Sequence, residues 1–326
     1  MTLSPPPTSG AGSPAAPRIS VVMPARNEAA RIGRALSRIF ASVRSSCEVI
    51  VVVDAEDDPT WEEVRARAAA EPRLRCVVGE YGPGPANAIR FGIDVARADV
   101  AVVTMADNSD DPRQIEQLAA LVERGAVVAA ASRYSKGGSQ IGGPIGKSLM
   151  SRLAGRSLQL LARAGTRDAT NSFKAYSTSF VKEVGIDSRQ GFAIGIELTA
   201  KARRLRREVA EIPTVWLDRQ QGASAFRVLA WMPAYLRWYL FCFGPRLTAG
   251  ELAARCARRA RPAPDPVQPG CDPTVLVARQ ARASEWAAWH VLAIHDELVG
   301  AVQSRGATQS RGQTESRDAD ESRGAA

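Results

Sequence analysis

The sequence has few of the side chains on which several common enzyme classes depend. Only two histidines occur, His290 and His295, and both lie near the C-terminal end. This excludes an HExxH zinc site and disfavours a Ser-His-Asp triad. The five cysteines are scattered and form no CxxC pair, which argues against a zinc site or a disulfide framework and favours a reducing cytoplasm.

Long uninterrupted apolar runs are also missing. The longest, residues 228–244, is interrupted by Pro233 and Arg237. Because a spanning helix needs about 20 apolar residues, we expect no transmembrane segment. The run is rich in Trp and Tyr, so it has two interpretations: a core helix that covers a sheet, or a helix that lies in a membrane interface.

Acidic side chains are the minority, with 34 Asp and Glu against 43 Lys and Arg, and the formal net charge is +9. Such an excess of arginine favours partners that carry phosphate, whether nucleic acid, nucleotide or lipid head group. A single-stranded nucleic-acid platform needs aromatic rings interleaved with the cations. Here many of the rings lie in one apolar block, which argues against nucleic acid.

Short apolar segments alternate with helical patterns from residue 18 onwards. Residues 19–23, a run ending at Asp54, and three further runs up to about residue 132 are apolar throughout. Strands of this kind, separated by amphipathic helices, predict an α/β fold with a mostly parallel sheet covered on both faces. Right-handed crossovers then place every strand-to-helix loop at one edge, where ligands of such sheets bind.

Three of those loops are acidic. They cover residues 24–28, 54–58 and 107–111, and the last belongs to the stretch VVTMADNSDDP. Each loop alone is explained as a solvated turn, since Asp, Asn, Ser and Pro are common turn residues. Three acidic loops at one edge would repel each other, however, and this convergence favours a bound cation.

The remainder of the chain predicts appendages. Residues 1–17 have no signal-peptide core and are expected to be a flexible leader. Residues 250–272 read as a basic, Pro-rich linker, and residues 273–303 as a helical segment. Residues 304–326, where Ser-Arg recurs every six residues, carry almost no apolar side chains and predict a disordered tail.

Several motifs in order resemble the inverting family 2 glycosyltransferases of GT-A fold, and most of all the polyprenyl- and dolichyl-phosphate mannose synthases. The motifs are VVMPARNEAARI, VVVDAEDDPT, GPGPANAIRFGIDVA, MADNSDDP, SRYSKGG, DATNSFKAY, GFAIGIEL, EIP and DRQQGAS. They span residues 18–227, which we take as the glycosyltransferase domain. Residues 228–249 then follow as an amphipathic, aromatic helix and a possible membrane-interface element.

The resemblance implies a donor site. It assigns the nucleotide to Pro24, Ala25, Glu28 and Asp54. The DxD-type metal motif falls on residues 105–107, so Met105 replaces its first carboxylate and only Asp107 remains. Asp110 and Asp111 are additional acids that could restore the lost charge, and Ser109 could add a ligand. Three oxygen groups suit Mg²⁺ or Mn²⁺ shared with a diphosphate.

The resemblance also implies an acceptor site. Arg133, Lys147 and Ser151 match phosphate-binding positions, although the family often has Arg where Lys147 stands. Arg219 matches a residue that holds the donor diphosphate and is, with Asp107, a predicted catalytic residue. Ala225 replaces a basic residue of the family, which puts tight closure over the donor in doubt.

A polyprenyl phosphate is an anion near neutral pH, so it needs alignment and cationic clamps more than a base. The expected function is therefore transfer of a mannose- or glucose-type hexose to this lipid, by a cytoplasmic protein bound peripherally at the inner face of the cell membrane. A lipid acceptor favours the interface interpretation of residues 228–244. If the acceptor is a hydroxyl, Asp168 or Glu197 would be the base; otherwise these two are structural. A degenerate nucleotide-sugar-binding protein is the remaining alternative.

Overall fold

The computed structural model describes residues 16–143, 145–217 and 228–259, and within helices it leaves the side chains of 145, 147, 228–230 and 257–259 undescribed. The predicted leader, most of the linker, the C-terminal helical segment and the tail lie outside the described residues. So do the whole of motif DRQQGAS, residues 218–224, with Arg219, and the following Ala225.

Nine strands form two sheets within these ranges. They are β1 (Ile19–Pro24), β2 (Cys47–Val53), β3 (Leu74–Val78), β4 (Val100–Val103), β5 (Val128–Ser132), β6 (Ser139–Ile141), β7 (Lys174–Ser177), β8 (Val209–Pro213) and β9 (Val215–Leu217). The large sheet has the order β3-β2-β1-β4-β7-β5-β8. All its pairings are parallel except those of β7, which runs antiparallel to β4 and β5. The small sheet is the parallel pair β6 and β9.

The helices are α1 (Ala29–Ser42), α2 (Pro59–Ala68), α3 (Pro85–Asp94), α4 (Ile115–Glu123), α5 (Ile145–Ser157), α6 (Thr178–Val184), α7 (Ile194–Arg204), α8 (Val228–Cys242) and α9 (Ala249–Arg259). One core cluster joins the sheet to α1, α2 and α4, and the other joins it to α3, α6, α7 and α8. The prediction of a mostly parallel sheet with helices on both faces is confirmed. Strands such as β2, buried at every residue, account for this arrangement.

The aromatic helix α8 packs its central face into the core. Trp238, Phe241 and Cys242 are buried, and the indole of Trp238 donates to Ser188 Oγ at 3.0 Å. This face of α8 therefore belongs to the hydrophobic core. That outcome is contrary to the membrane-interface interpretation that we favoured for residues 228–244. Within the described ranges, none of the helices combines the length and apolar character needed to cross a membrane.

The start of the predicted linker is wrong, because α9 covers Ala249–Arg259. The helix begins with a capping box: Glu251 accepts hydrogen bonds from the backbone N–H and hydroxyl of Thr248, and Thr248 Oγ1 accepts from Glu251 N. Leu252 anchors the helix, since it is buried in the core cluster. The segment is rich in arginine, so the capping box and Leu252 were not recognised as signs of a helix.

Candidate active site

The loop after β1 is built on backbone hydrogen bonds to the neighbouring strand and helix. Ala25 N–H donates to Val52 O at 2.9 Å, and Glu28 N–H donates to Thr60 Oγ1 at 2.9 Å. Asn27 has a left-handed backbone, with φ 54°, and its N–H donates to both carboxylate oxygens of Asp58 at 3.1 and 2.9 Å. Pro24, Ala25 and Glu28 are thereby held at the carboxyl edge of the sheet, where they were predicted.

Asp54, at the end of β2, joins the loop after β1 to the loop after β3. Its Oδ1 accepts from Gly84 N–H at 2.9 Å, and its Oδ2 lies 3.9 Å from Arg26 Nε. Gly84 has φ 112°, a conformation that side chains rarely adopt, so a glycine is needed where this loop turns toward Asp54. The structure thus brings the four predicted donor residues to one rim.

The predicted metal loop is tightly folded. Asp107 Oδ1 accepts from Ser109 N–H at 3.1 Å around Asn108, which has φ 64°. Arg38 of α1 supports the loop from outside, because its guanidinium donates to Asn108 O at 3.1 Å. Ser109 is buried, and its hydroxyl has no hydrogen-bond partner among the described residues. An orphaned buried oxygen beside a carboxylate fits a cation ligand.

Asp110 has a different environment from the one predicted. It is buried, and its Oδ2 accepts from Thr104 Oγ1 at 3.0 Å and Met105 N–H at 3.1 Å. Burial, and then the negative charge of Asp107, raise the pKa of Asp110 to about 7. A cation between the two acids would relieve that repulsion, so the residues present fit the predicted Mg²⁺ or Mn²⁺.

The described residues hold no group of three or more His, Cys, Asp and Glu side chains placed to bind a metal by themselves. A cation here would therefore share the oxygens of Asp107 and Ser109 with substrate phosphate and water, as Mg²⁺ commonly does. Asp110 contributes charge, while one of its oxygens shapes the loop.

Two of the predicted acceptor residues are joined in what we call the acceptor cluster, formed by Arg133, Ser151, Asp168 and Thr170. Arg133 donates to Asp168 through Nε at 2.7 Å and Nη2 at 2.9 Å. Nη2 also lies 3.4 Å from Thr170 Oγ1, which is 2.7 Å from Ser151 Oγ. Lys147 lies on α5 in the same helix as Ser151, but its side chain is outside the described residues.

The two ionisable members of the acceptor cluster, Arg133 and Asp168, are both charged. Burial opposes the charge of Arg133, but Asp168 outweighs this effect and raises the pKa of the guanidinium above its usual range. Burial likewise opposes ionisation of Asp168, and Arg133 outweighs it and lowers the pKa of the carboxyl. Aromatic rings enclose the cation: the guanidinium carbon of Arg133 lies 4.9 Å from the ring centre of Tyr134 and 5.9 Å from that of Trp216.

The two carboxylates considered as bases are both engaged in ion pairs. Asp168 is fully buried under Arg133. Glu197, also fully buried, lies 2.7 Å from Lys201 Nζ and accepts from the backbone N–H groups of Asp187 and Ser188 at 2.6 and 2.8 Å. These contacts support the structural interpretation of both residues.

An exposed apolar surface lies next to the acceptor cluster. Its five residues are Leu149, Met150 and Leu153 of α5, and Leu160 and Leu161 of the π-helical turn Leu158–Ala162 that follows it; we call them the apolar patch. Between α5 and α8 runs an open groove of about 650 Å³, lined by Leu149, Met150, Leu153 and Tyr239 among others. Ser151 lies on the same helix, so the acceptor cluster and the apolar patch adjoin.

Sequence reasoning missed several residues of the site. Asp58 carried a readable signal, since an acid followed by Pro59 and Thr60 is a helix N-cap. Thr170 and Trp216 carried no such sequence signal, because each lies far from Arg133 in sequence and contacts it only in the folded protein. The apolar patch was also missed, since its leucines are separated by arginines in sequence.

Comparisons with known proteins agree with this geometry. The family model described as "Glycosyl transferase family 2" matches residues 20–185, more than half of the chain. An undecaprenyl-phosphate mannosyltransferase of Micrococcus luteus is 26% identical over 212 residues, covering 64% of this chain and 86% of the relative. A polyprenol monophosphomannose synthase of Mycolicibacterium smegmatis is 27% identical, with 64% and 80% covered. A dolichol-phosphate mannosyltransferase of Pyrococcus furiosus is 28% identical, with 64% and 59% covered.

Among solved structures, glucosyl-3-phosphoglycerate synthase of Mycobacterium tuberculosis in complex with Mn²⁺, UDP and glucosyl-3-phosphoglycerate superposes with a TM-score of 0.53. It is 20% identical, and the match covers 71% of this chain and 82% of that one. This likeness establishes the GT-A fold. With the family model matched across the donor loops, the metal loop and Arg133, the chain belongs to glycosyl transferase family 2.

Proposed function

We propose that the chain transfers a hexose of mannose or glucose type from a nucleotide-diphosphate sugar to a polyprenyl phosphate, with inversion at the sugar. One observation carries the proposal: the acceptor cluster adjoins the apolar patch and its groove. A polyprenyl phosphate joins an anionic head to an apolar chain, so it needs these two surfaces side by side. The names of the three relatives support the same acceptor class.

Among the residues that the structure describes, the two carboxylates considered as bases are both engaged, which favours an acceptor that is already an anion. Asp168 and Glu197 are each committed to a buried cation. Removing either from its pair would leave a buried charge without compensation, at a cost of about 3–5 kcal/mol. A hydroxyl acceptor needs a base, whereas a phosphate oxygen can attack directly. The hydroxyl alternative is therefore disfavoured.

In the proposed reaction, an oxygen of the lipid phosphate attacks the anomeric carbon of the donor sugar. A carbon–oxygen bond forms as the bond to the nucleoside diphosphate breaks, and the diphosphate leaves with the electron pair. Arg133 and Ser151 hold the attacking phosphate, and Asp54 with the first loop holds the nucleotide. A divalent cation held by Asp107 and Ser109, when bound, would neutralise charge on the leaving diphosphate. Alignment and charge neutralisation then supply the rate enhancement.

The same surfaces support a peripheral membrane location. Residues 133–167 contain no acid, and they include exposed Arg152, Arg156 and Arg163 beside the apolar patch. Cations attract anionic head groups, and leucines enter the apolar boundary beneath them. The lipid acceptor would meet the protein at this surface. α8 contributes the wall of the groove rather than the membrane contact.

The test is an assay of purified full-length protein with radiolabelled GDP-mannose or UDP-glucose and either farnesyl phosphate or 3-phosphoglycerate, with Mg²⁺ or Mn²⁺. Label in the organic extract, lost on mild acid treatment, is the expected result. Label on 3-phosphoglycerate instead would replace the lipid by a soluble acceptor. Donor binding without any transfer would support the degenerate binding protein.

A further inference from the structure

Beneath the acceptor cluster lies Lys174, a lysine that is fully buried at the start of β7. Its ammonium donates to Asp168 O at 3.0 Å and to Asn171 O. Main-chain carbonyls, rather than a carboxylate, therefore hold this charge. Burying an ammonium is costly, and burial accordingly lowers the pKa of Lys174 to about 8. A buried charge that costs free energy indicates a role that a neutral side chain would not fill.

The two carbonyls belong to the turn 168–171 that carries the acceptor cluster. Asp168 uses its carboxylate to hold Arg133, and Thr170 reaches Ser151. The turn has other supports, because Asn171 N–H donates to Asp168 Oδ1 at 3.2 Å and Asn171 Nδ2 donates to Ala131 O at 2.8 Å. Lys174 closes this set from below, so every member of the turn has a fixed position.

The charge of Lys174 also changes the balance of the cluster. Arg133 and Asp168 neutralise one another, and a neutral pair attracts a phosphate weakly. With the ammonium of Lys174 beneath them, the three groups together are positive. The remaining charges that act on Lys174 are the carboxylates of Glu211 and Asp110, which are more minor influences than Asp168.

We propose that Lys174 is a positioning residue for the acceptor phosphate: it fixes the turn 168–171, and through Asp168 and Thr170 it sets the places of Arg133 and Ser151. This inference rests on the proposed function for the identity of the acceptor. It does not rest on it for the hydrogen-bond chain, which can be tested without substrate.

The chain offers a matched control in Lys201. It too is fully buried, and it donates to the carbonyls of Val184 and Gly185 at 3.2 and 2.9 Å. Its charge is neutralised by Glu197 and Asp187, at 2.7 and 2.9 Å, and it contacts no member of the acceptor cluster. Lys201→Met therefore removes a buried ammonium without touching the turn.

The experiment compares Lys174→Met, Lys174→Gln and Lys201→Met in two measurements. The first is isothermal titration with farnesyl phosphate and, separately, with UDP and Mn²⁺. Lys174→Met leaves two buried carbonyls unpaired and should weaken farnesyl phosphate binding about tenfold, with UDP binding within about twofold. Lys174→Gln keeps an amide donor and should recover part of the loss. Lys201→Met should change neither farnesyl phosphate binding nor UDP binding relative to the wild type, even if its Tm is lower.

The second measurement is hydrogen exchange of the Arg133 Nε–H, followed by NMR and assigned with Arg133→Lys. It should accelerate in Lys174→Met and stay slow in Lys201→Met. Unchanged exchange, or equal loss of farnesyl phosphate binding in the two lysine variants, would overturn the inference. If the wild type does not bind farnesyl phosphate, the proposed acceptor is wrong, and exchange alone decides the role of Lys174. If Lys174→Met does not fold, Lys174→Gln carries the same comparison.

Discussion

Asp107 is the one carboxylate that remains where the resembling family has a DxD-type pair. It shares its loop with two acids of different character. Asp110 is buried and tied to Thr104 and Met105, whereas the carboxylate of Asp111 caps the short 3-10 helix Pro112–Gln114 and pairs with Arg113 at 2.7 Å. We propose only Asp107, with Ser109, as direct ligands of the cation. Three neighbouring acids therefore have three separable roles.

Asp107→Asn should lower kcat/KM by about 10²–10³, because it removes charge that would hold the cation against the departing diphosphate. Mn²⁺ affinity, measured by titration in the presence of UDP, should fall with it. Asp111→Asn is the matched control and should keep both values within about twofold. Near-normal Mn²⁺ affinity in Asp107→Asn would place the metal elsewhere.

The pKa of Asp110, raised to about 7 chiefly by burial, predicts how the stability of the metal-free protein depends on pH. Between about pH 4 and 7 the folded protein retains a proton that the unfolded chain releases, so stability falls as pH rises through this window. Asp110→Asn keeps an acceptor oxygen and does not titrate. In EDTA, its stability relative to the wild type should therefore increase from pH 5 to pH 8, by about 3 kcal/mol at most. A pH-independent difference in Tm would show that Asp110 titrates normally.

For single residues, the sequence predicted where a side chain lies in the fold better than what it does there. Asp54, Asp107 and Arg133 lie at the edge of the sheet because they follow the ends of β2, β4 and β5, and strand ends are readable from apolar runs. Roles depend on neighbours that are distant in sequence. Asp168 was ambiguous until the fold brought Arg133 against it, 35 positions away.

At the scale of elements, α8 illustrates why an apolar aromatic run is hard to interpret from sequence. Its composition is the same for a core helix and an interfacial helix. The difference lies in which face meets α7, and no local pattern specifies that face. Trp238 is 2% exposed and Leu236 is 43% exposed, although they are two positions apart.

Trp238→Ala should destabilise the protein by about 3–5 kcal/mol, because it opens a cavity in the core and leaves Ser188 without its donor. Urea unfolding measures the loss. Leu236→Ala, on the same helix, should cost less than about 0.5 kcal/mol. If Trp238→Ala changes stability only slightly but reduces lipid binding, α8 lies in the membrane interface.

Other elements were predicted from their strand and loop signals, including β1 to β5 and the helices α1 to α4. β7 was not predicted as the antiparallel strand in the middle of the sheet, since its four residues carry no sign of direction. Direction is set by connection geometry, which depends on where the preceding helices pack. The cluster around Lys174 exists only because β7 lies there.

At the scale of the whole molecule, exposed cations and exposed apolar side chains meet on α5 and the turn that follows it. The core cluster that contains α8 lies on the opposite face of the sheet from the cluster that contains α1 and α4. The apolar patch lies on α5 and the turn after it, with exposed Arg152 and Arg156 between its leucines and exposed Arg163 just after them. Scattered exposed leucines would need no explanation, but a contiguous set rimmed by cations indicates an interaction site.

The full-length protein should therefore pellet with liposomes that contain anionic lipid. High salt should release it only in part, because salt screens the arginines and leaves the apolar contribution intact. The triple variant Leu153→Ser, Leu160→Ser and Leu161→Ser should lose the salt-resistant fraction with Tm nearly unchanged, since these side chains are 58%, 75% and 74% exposed.

Two charge variants separate this surface from simple attraction by the net charge of +9. Replacing Arg152, Arg156 and Arg163 with Gln should weaken the salt-sensitive part of the binding by about 10²-fold, since each cation near the surface contributes about 1 kcal/mol. The same replacement at the exposed residues Arg34, Arg44 and Arg124, on the α1 and α4 side, removes equal charge. It should leave most of the binding in place, because those cations point away from a bilayer that contacts α5. If both charge variants lose binding equally and the leucine variant loses none, the attraction is unspecific, and the lipid acceptor must reach the acceptor cluster without a membrane contact at α5.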